Sequence, residues 1–114
     1  MSYNEELASR VRTSLSHLPK VAEKKMFGGL AFMVNNKMCI TIGSERIMCR
    51  IDPKIQKDLL KKKGCSAVIM KGSKYKGYVH VGEDGIKSKK DLTYWVGLAL
   101  EYNKEAKASK KPGN

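Results

Sequence analysis

Two glycine-containing stretches of this chain have residue types that can bind a phosphate group. MFGG, at residues 26–29, places two adjacent glycines between segments of strand character. KGSKYKG, at residues 71–77, spaces two glycines as a phosphate-binding loop does. Such a loop continues with Lys and Ser or Thr into a helix, whereas Tyr78 and Val79 follow here. The second stretch is therefore not a loop of that kind.

Gly28 and Gly29 are also unsuited to hold an anion, because the sequence predicts no helix after them whose dipole would attract it. We expect a bulge or tight corner, in which one residue needs positive φ and a side chain would clash. The preceding Met26 and Phe27 are apolar and are expected in the core rather than at a contact surface.

No group of residues has the composition of a catalytic centre. Ser14, Ser16 and His17 lie in or at the end of a predicted helix without a fitting acid, and no Gly-x-Ser-x-Gly stretch occurs. His80 lies in an alternating strand pattern and is expected to be a sheet histidine. We therefore expect no enzymatic activity, no catalytic residue, no cofactor and no small-molecule substrate.

The three cysteines are also poor metal ligands, because no Cys-x-x-Cys pair occurs and the chain has only two histidines. We expect buried, reduced thiols and no metal site. The sequence shows no apolar run long enough to cross a bilayer and no apolar leader, so we expect a cytoplasmic protein without membrane contact.

Charge is the strongest chemical signal in this sequence. The net charge is +12, and residues 53–76 contain eight lysines against the single Asp58. This bias suggests a polyanionic partner, either nucleic acid or an acidic protein surface. A solvated basic face that keeps a small protein soluble is the alternative. The candidate contact residues are Lys54, Lys57, Lys61, Lys71, Lys74, Lys76, Lys110 and Lys111. An RNP1-like opening at residues 76–81 lacks its later aromatic residue, so base stacking is weakly indicated.

The elements that position these residues follow from periodicity and turn signals. We predict helices over residues 3–18 and 53–63 and from Ser88 to 103, strands over 21–27, 30–34, 38–42, 47–51 and 78–81, and an irregular basic segment over 65–77. This order predicts an α+β two-layer sandwich with a mainly antiparallel sheet of about five strands. We expect one domain over residues 1–103 and a basic, disordered tail over 104–114.

The strands at 38–42 and 47–51 predict a register. Pairing Ile42 with Ile47 places Met38, Ile40, Ile42, Ile47, Cys49 and Ile51 on one face. Cys39 then lies on the opposite face with Thr41, Met48 and Arg50, which excludes a disulfide bond between Cys39 and Cys49.

The hairpin before them gives conflicting signals. Asn35 and Asn36 suit a two-residue type I′ turn, which pairs Val34 with Lys37, whereas a three-residue loop aligns the apolar residues of both strands. A bulge near Phe32 would reconcile the two. Without it, the outer sheet face is unusually apolar and a homodimer is favoured.

Four stretches, KKMFGGLAFMVNNKMCITI, IMCRIDP, MKGSKYKGYVHV and DLTYWVGLAL, together resemble the N-terminal domain of TfoX/Sxy proteins, bacterial regulators of competence for DNA transformation. The residues that carry the resemblance are Met26, Phe27, Gly28, Gly29, Arg50, Gly77, Tyr78 and Trp95. It implies an antiparallel sheet flanked by helices, in which these residues are structural.

The resemblance also implies a function without enzymatic chemistry. The family acts in switching on DNA-uptake genes, alongside the cyclic-AMP receptor protein. Longer members have a second, helical domain, and we expect a stand-alone form without it. The expected function is a regulatory module that binds another protein in transcriptional regulation, and the alternative is a nucleic-acid-binding accessory protein with a lysine-rich surface.

Overall fold

The structure is a computed structural model that describes residues 3–26 and 28–106. Phe27, Lys110 and Lys111, which the sequence analysis names, lie outside the described residues, as does the predicted tail from residue 107 onward. None of the helices in the described ranges combines the length and hydropathy needed to cross a lipid bilayer.

The described chain has the predicted α+β architecture, with six strands rather than about five. In chain order the elements are α1 (Glu5–Ser14), β1 (Val21–Met26), β2 (Gly29–Val34), β3 (Lys37–Ile42), β4 (Arg46–Arg50), α2 (Gln56–Leu59), β5 (Cys65–Met70), β6 (Ser73–Gly82) and α3 (Lys89–Asn103). Short 3₁₀ turns at Pro53–Ile55 and Glu83–Gly85 precede α2 and α3. The strands form one sheet in the order β1-β2-β3-β4-β6-β5, with every neighbouring pair antiparallel.

Helices α1 and α3 begin at side-chain caps and pack together with the sheet in the main core. The Asn4 side chain accepts a hydrogen bond from the backbone N–H of Leu7 at 3.0 Å, and the Ser88 hydroxyl accepts one from Asp91 at 3.0 Å. The buried members of the main core are Leu7, Ala8, Val11, Leu15, Leu30, Phe32, Val34, Cys39, Ile40, Ile42, Ile47, Cys49, Ile51, Leu59, Val79, Val81, Ile86, Leu92, Trp95, Val96 and Ala99.

The predicted helix over residues 53–63 is too long. The Asp52 carboxylate caps the 3₁₀ turn, accepting from the N–H of Lys54 at 2.9 Å, but α2 ends at Leu59. Residues 61–63 are all lysines, so the chain has no apolar side chain there to hold a further helical turn against the sheet. The chain turns instead, and the N–H of Cys65 donates to the carbonyl of Lys62 at the start of β5.

The prediction of an irregular segment over residues 65–77 is wrong. These residues form β5 and the first half of β6, joined by a two-residue turn at Lys71 and Gly72 with φ of 52° and 80°. This is the geometry of a type I′ hairpin turn, in which lysine is not a favoured residue. Pairing is also irregular, because Ala67 pairs with Val79 but Ile69 pairs with Lys74. The three extra residues of β6 obscure the strand pattern.

The hairpin of β2 and β3 has both of the features that the sequence predicted. Asn35 and Asn36 have φ of 54° and 66°, and Val34 pairs with Lys37. A bulge shifts the register between Phe32 and Met33. It reconciles the two-residue turn with core positions for the apolar residues of both strands.

Because of the bulge, Met38 and Cys39 of β3 lie on the opposite faces of the sheet from those predicted. Ile42 pairs with Ile47 and Ile40 with Cys49, as predicted. Cys39, however, lies in the main core, so the argument from opposite faces against a disulfide with Cys49 is wrong, and all three cysteines are free thiols. Met38 lies in a second, smaller cluster.

That second cluster occupies the outer face of the sheet, to which no described helix contributes. Its buried members are Ala31, Met33, Met38, Met48 and Val68, with Met26 and Tyr78 packed against them. The two clusters make the sheet apolar on both faces, which explains why β2 and β3 are buried along almost their whole length.

The two adjacent glycines form the corner between β1 and β2, as predicted, and each has one of the two expected constraints. Gly28 has φ of 71° and no heavy atom within 4 Å of where a Cβ would lie. Gly29 is buried, and a Cβ there would overlap the carbonyl oxygen of Ile42 on β3. Gly28 therefore supplies the turn, and Gly29 allows the close approach of two strands.

Substitution of Gly29 with Ala should destabilise the fold by about 2–3 kcal/mol, because the added methyl must displace the backbone of β3. Gly28→Asn should cost less than about 1 kcal/mol, since asparagine tolerates positive φ and the space is open. Urea denaturation of both variants measures the difference. Equal losses would show that Gly29 has no steric role.

Candidate interaction surface

The hairpin of β5 and β6 extends beyond the rest of the sheet. Strand β4 pairs with β6 only from Gly82 to Tyr78, where Arg50 is its last residue. Beyond that point β6 pairs with β5 alone. We call residues 69–76 the hairpin tip. Each of its side chains that the structure describes is exposed, so the tip is a two-stranded arm that projects into solvent.

A buried glutamine holds the base of this arm. Gln56, the first residue of α2, is 8% exposed, and its Oε1 accepts a hydrogen bond from the N–H of Gly77 at 2.6 Å. Its Nε2 donates to the carbonyls of Tyr75 at 3.4 Å and Tyr78 at 3.5 Å. The N–H of Ile51 donates to the carbonyl of Gly77 at 2.8 Å. These bonds satisfy the backbone of the bulge in β6 and fix α2 beside it.

Gly77 is required at this point because its φ is 86°, which other residues adopt only with strain. Gly77 is among the residues expected to be structural, whereas no sequence pattern indicates a role for Gln56. A single glutamine among lysines has the appearance of a surface residue, and only the fold shows that its amide is buried against three backbone groups.

Five of the candidate lysines lie on the hairpin tip or next to Gln56, whose hydrogen bonds join α2 to β6. Lys71, Lys74 and Lys76 are exposed on the hairpin tip, and the exposed Lys54 and Lys57 lie within two residues of Gln56. The sixth described candidate, Lys61, follows the end of α2 and is exposed beside Lys62 and Lys63. The lysine-rich block is therefore a surface that extends from the tip along α2.

Aromatic and apolar groups accompany these charges. Tyr75 is 42% exposed and stacks on Tyr78, with ring centroids 4.6 Å apart. Ile69 is 58% exposed on the facing strand. Neither Tyr75 nor Ile69 was predicted as a surface contact, because the segment was expected to be irregular. Tyr78 is half-buried, and burial raises the pKa of its hydroxyl.

Three further residues that carry the family resemblance, Trp95, Met26 and Arg50, pack against neighbouring side chains. Trp95 is buried in the main core at 3% exposure, and Met26 packs against the second cluster. The guanidinium carbon of Arg50 lies 5.9 Å from the ring centroids of both Tyr78 and Tyr102, so it joins β4 to β6 and α3.

Two clefts lie away from the hairpin tip. One, of about 410 Å³, lies at the end of the outer sheet face and contains Glu45, Arg46 and His80. Burial and the charge of Arg46 lower the pKa of His80. No hydrogen bond joins His80 to a carboxylate within the described ranges, so its imidazole lacks the oriented base arrangement of a catalytic pair. The second cleft, of about 430 Å³, mixes lysines with Asp84, Asp91 and Tyr94.

The thiols are poor nucleophiles in this environment. Burial raises the pKa of Cys39 to about 12 and that of Cys65 to about 11, and it raises the pKa of the fully buried Cys49 further. At neutral pH they are protonated, whereas the thiolate is the reactive form. Among the residues the structure describes, no three His, Cys, Asp or Glu side chains are grouped to hold a metal ion.

Comparison with known proteins gives one match. A family model described as the TfoX N-terminal domain matches residues 13–102, which include the whole sheet, α2 and most of α3. No curated protein and no solved structure matches this chain.

Gln56→Ala should lower the free energy of unfolding by about 1–3 kcal/mol, because it leaves the buried N–H of Gly77 without its acceptor. Urea denaturation measures the loss, and the amide chemical shift of Gly77 reports the bond. Lys57→Ala, an exposed change on the same helix, is the control. If both variants have the same stability as the parent chain, Gln56 does not hold the hairpin.

Proposed function

This chain belongs to the TfoX N-terminal domain family, and we propose that it is a non-enzymatic module in the cytoplasm that regulates transcription by binding another protein. Membership of the family supports a competence-related regulatory role. The exposed side chains of the hairpin tip support the binding of another protein. On the tip, the exposed side chains of Ile69 and Tyr75 project beside three lysines.

The composition of the tip suits a protein interface. Tyr75 and Ile69 offer apolar area that is already exposed, and tyrosine is enriched at interfaces because its ring is large and loses little conformational entropy. The lysines around them form a polar rim that attracts an acidic surface. The hydrogen bonds of Gln56 hold the arm in place before binding, which lowers the entropic cost of association.

The pKa values of the cysteines and of His80 support the proposal that the module is not an enzyme. The three thiols have raised pKa values because they are buried. His80 has a lowered pKa and no carboxylate bonded to it in the described chain. A general base or nucleophile needs an activating partner, which these groups lack.

A pull-down from native lysate, with and without nuclease, tests protein binding. We expect a protein that is retained after nuclease treatment and lost with the variant Ile69→Ser/Tyr75→Ala. Thr13→Ala, an exposed change on α1, is the control. Loss of every bound protein after nuclease treatment would contradict the proposal.

Nucleic acid is the second candidate partner, and the grouping of five lysines at the hairpin tip and α2 favours it. A two-stranded ribbon is narrow enough to enter the major groove of DNA, and lysines release counterions from the phosphates. Tyr75 would supply a ring on which an unpaired base can stack.

Duplex DNA titrations at several salt concentrations test this alternative. Replacing Lys71, Lys74 and Lys76 with Gln should reduce the slope of log affinity against log salt by about 3, at roughly one unit for each phosphate contact. Lys87, Lys89 and Lys90 replaced with Gln form the control, which removes the same charge from exposed residues at the start of α3. Undetectable binding of the parent chain at low salt would eliminate nucleic acid as the partner.

A further inference from the structure

The outer edge of β5 is open in the described part of the chain. Strand β5 is the last strand of the sheet, and β6 is its sole described neighbour. The irregular residues of this hairpin lie in β6, where residues 75–78 face the single Val68, so β5 itself stays extended. An extended edge strand presents unpaired backbone N–H and carbonyl groups along its free side.

The hydrogen-bond pattern identifies one residue whose backbone faces that free side. The N–H of Gly82 donates to the carbonyl of Gly64 at 2.8 Å, which makes these two residues a hydrogen-bonded pair. Bonded and non-bonded pairs alternate along antiparallel strands, and Ala67 pairs with Val79 three positions further on. The N–H and carbonyl of Ala67 therefore point away from β6, towards the free side of β5.

The two edges of the sheet differ in how they are protected. Strand β1 carries Glu23, Lys24 and Lys25 among its six residues, and Glu23 forms hydrogen bonds of 2.6 Å and 2.8 Å with Arg12. Such charges hinder pairing with another strand. Strand β5, with the sequence CSAVIM, has no charged residue, and Ile69 is 58% exposed. The β5 edge thus lacks the protection that β1 has.

Lysines lie at both ends of this uncharged edge. Lys61, Lys62 and Lys63 precede β5, and Lys71, Lys74 and Lys76 follow it on the hairpin tip. Asp84 shares a cleft with Lys62 and Lys63 and offsets part of the charge at the first end. A strand that pairs with β5 would therefore contact uncharged residues in its centre and lysines near both of its ends.

We propose that the β5 edge binds an extended acidic segment of a partner protein, which adds to the sheet as a seventh strand. This inference rests on the proposed function as a protein-binding module and names its docking site. Main-chain hydrogen bonds to β5 would supply affinity, and carboxylates near the ends of the segment would pair with the lysines. The residues that carry it are Ala67, Ile69 and the two lysine groups.

A second copy of this chain fits the edge less well. In an antiparallel pair of β5 strands, residues 61–63 of one copy would face the hairpin tip of the other, and in a parallel pair the like ends would coincide. Both arrangements place lysines against lysines, which disfavours association. The lysines at both ends of the edge therefore favour an acidic partner over self-association.

Three synthetic peptides test the proposal with the intact chain. The first has about ten residues, with Val and Thr alternating in the centre and glutamates at both ends. The second has lysines in place of the glutamates, and the third has the first sequence with alternate backbone amides N-methylated. We expect the first peptide to bind and to slow amide exchange at Ala67. The second and third should each bind about tenfold more weakly or worse.

A variant of the protein gives an independent measurement. Ala67→Pro removes the N–H on the free side without removing a hydrogen bond to β6, and should weaken binding of the first peptide about tenfold. Ala67→Ser keeps the N–H and should bind as the parent chain does. The N-methylated peptide keeps the test decisive if the proline variant fails to fold, because it leaves the protein unchanged.

Several results would overturn this assignment. They are equal binding of the N-methylated or lysine peptide, no binding of the first peptide, protection of Ala67 by the chain's own self-association, and its protection by duplex DNA. Each of these leaves the proposed function standing if the pull-down still retains a nuclease-resistant protein. If the first peptide binds at the β5 edge but the pull-down retains no nuclease-resistant protein, the proposed function is refuted. The β5 edge would then still be a site that accepts a strand.

Discussion

The surface described here depends on the hydrogen bond between the Gln56 side chain and the N–H of Gly77. The four residues of β6 that face Val68 leave backbone groups without strand partners, and buried groups of this kind are costly. One amide satisfies three of them at once and joins α2 to the sheet. The hairpin can therefore project beyond β4 as a defined arm rather than as a loop.

Local irregularities of the backbone decide which side chains face which way. The bulge in β2 and β3 moves Cys39 into the main core and Met38 to the outer face, and the bulge in β6 brings Tyr75 over Tyr78. Between these irregularities the strands alternate regularly. The result is a sheet that is apolar on both faces and uncharged along one edge, with lysines at the ends of that edge.

Much of the fold could be predicted from the sequence, because the signals are local. Helix α1 has a cap and apolar residues at helical spacing, Ser88 caps α3, and the Asn35-Asn36 turn sets the pairing of β2 with β3. Strand β5 could not be predicted, because a Lys71-Gly72 turn and the interrupted alternation of β6 give no recognisable hairpin pattern. Gln56 was missed because its burial depends on contacts with residues about twenty positions away.

The central claim is that the lysine-rich hairpin is a fixed arm with one open edge, held at its base by Gln56. Backbone ¹⁵N relaxation and amide exchange across residues 66–78 of the free chain test it most directly. The account predicts order parameters near 0.85 at the base of the arm, slow exchange at Gly77 and fast exchange at Ala67. Order parameters below about 0.6 at the base, with fast exchange at Gly77, would contradict it.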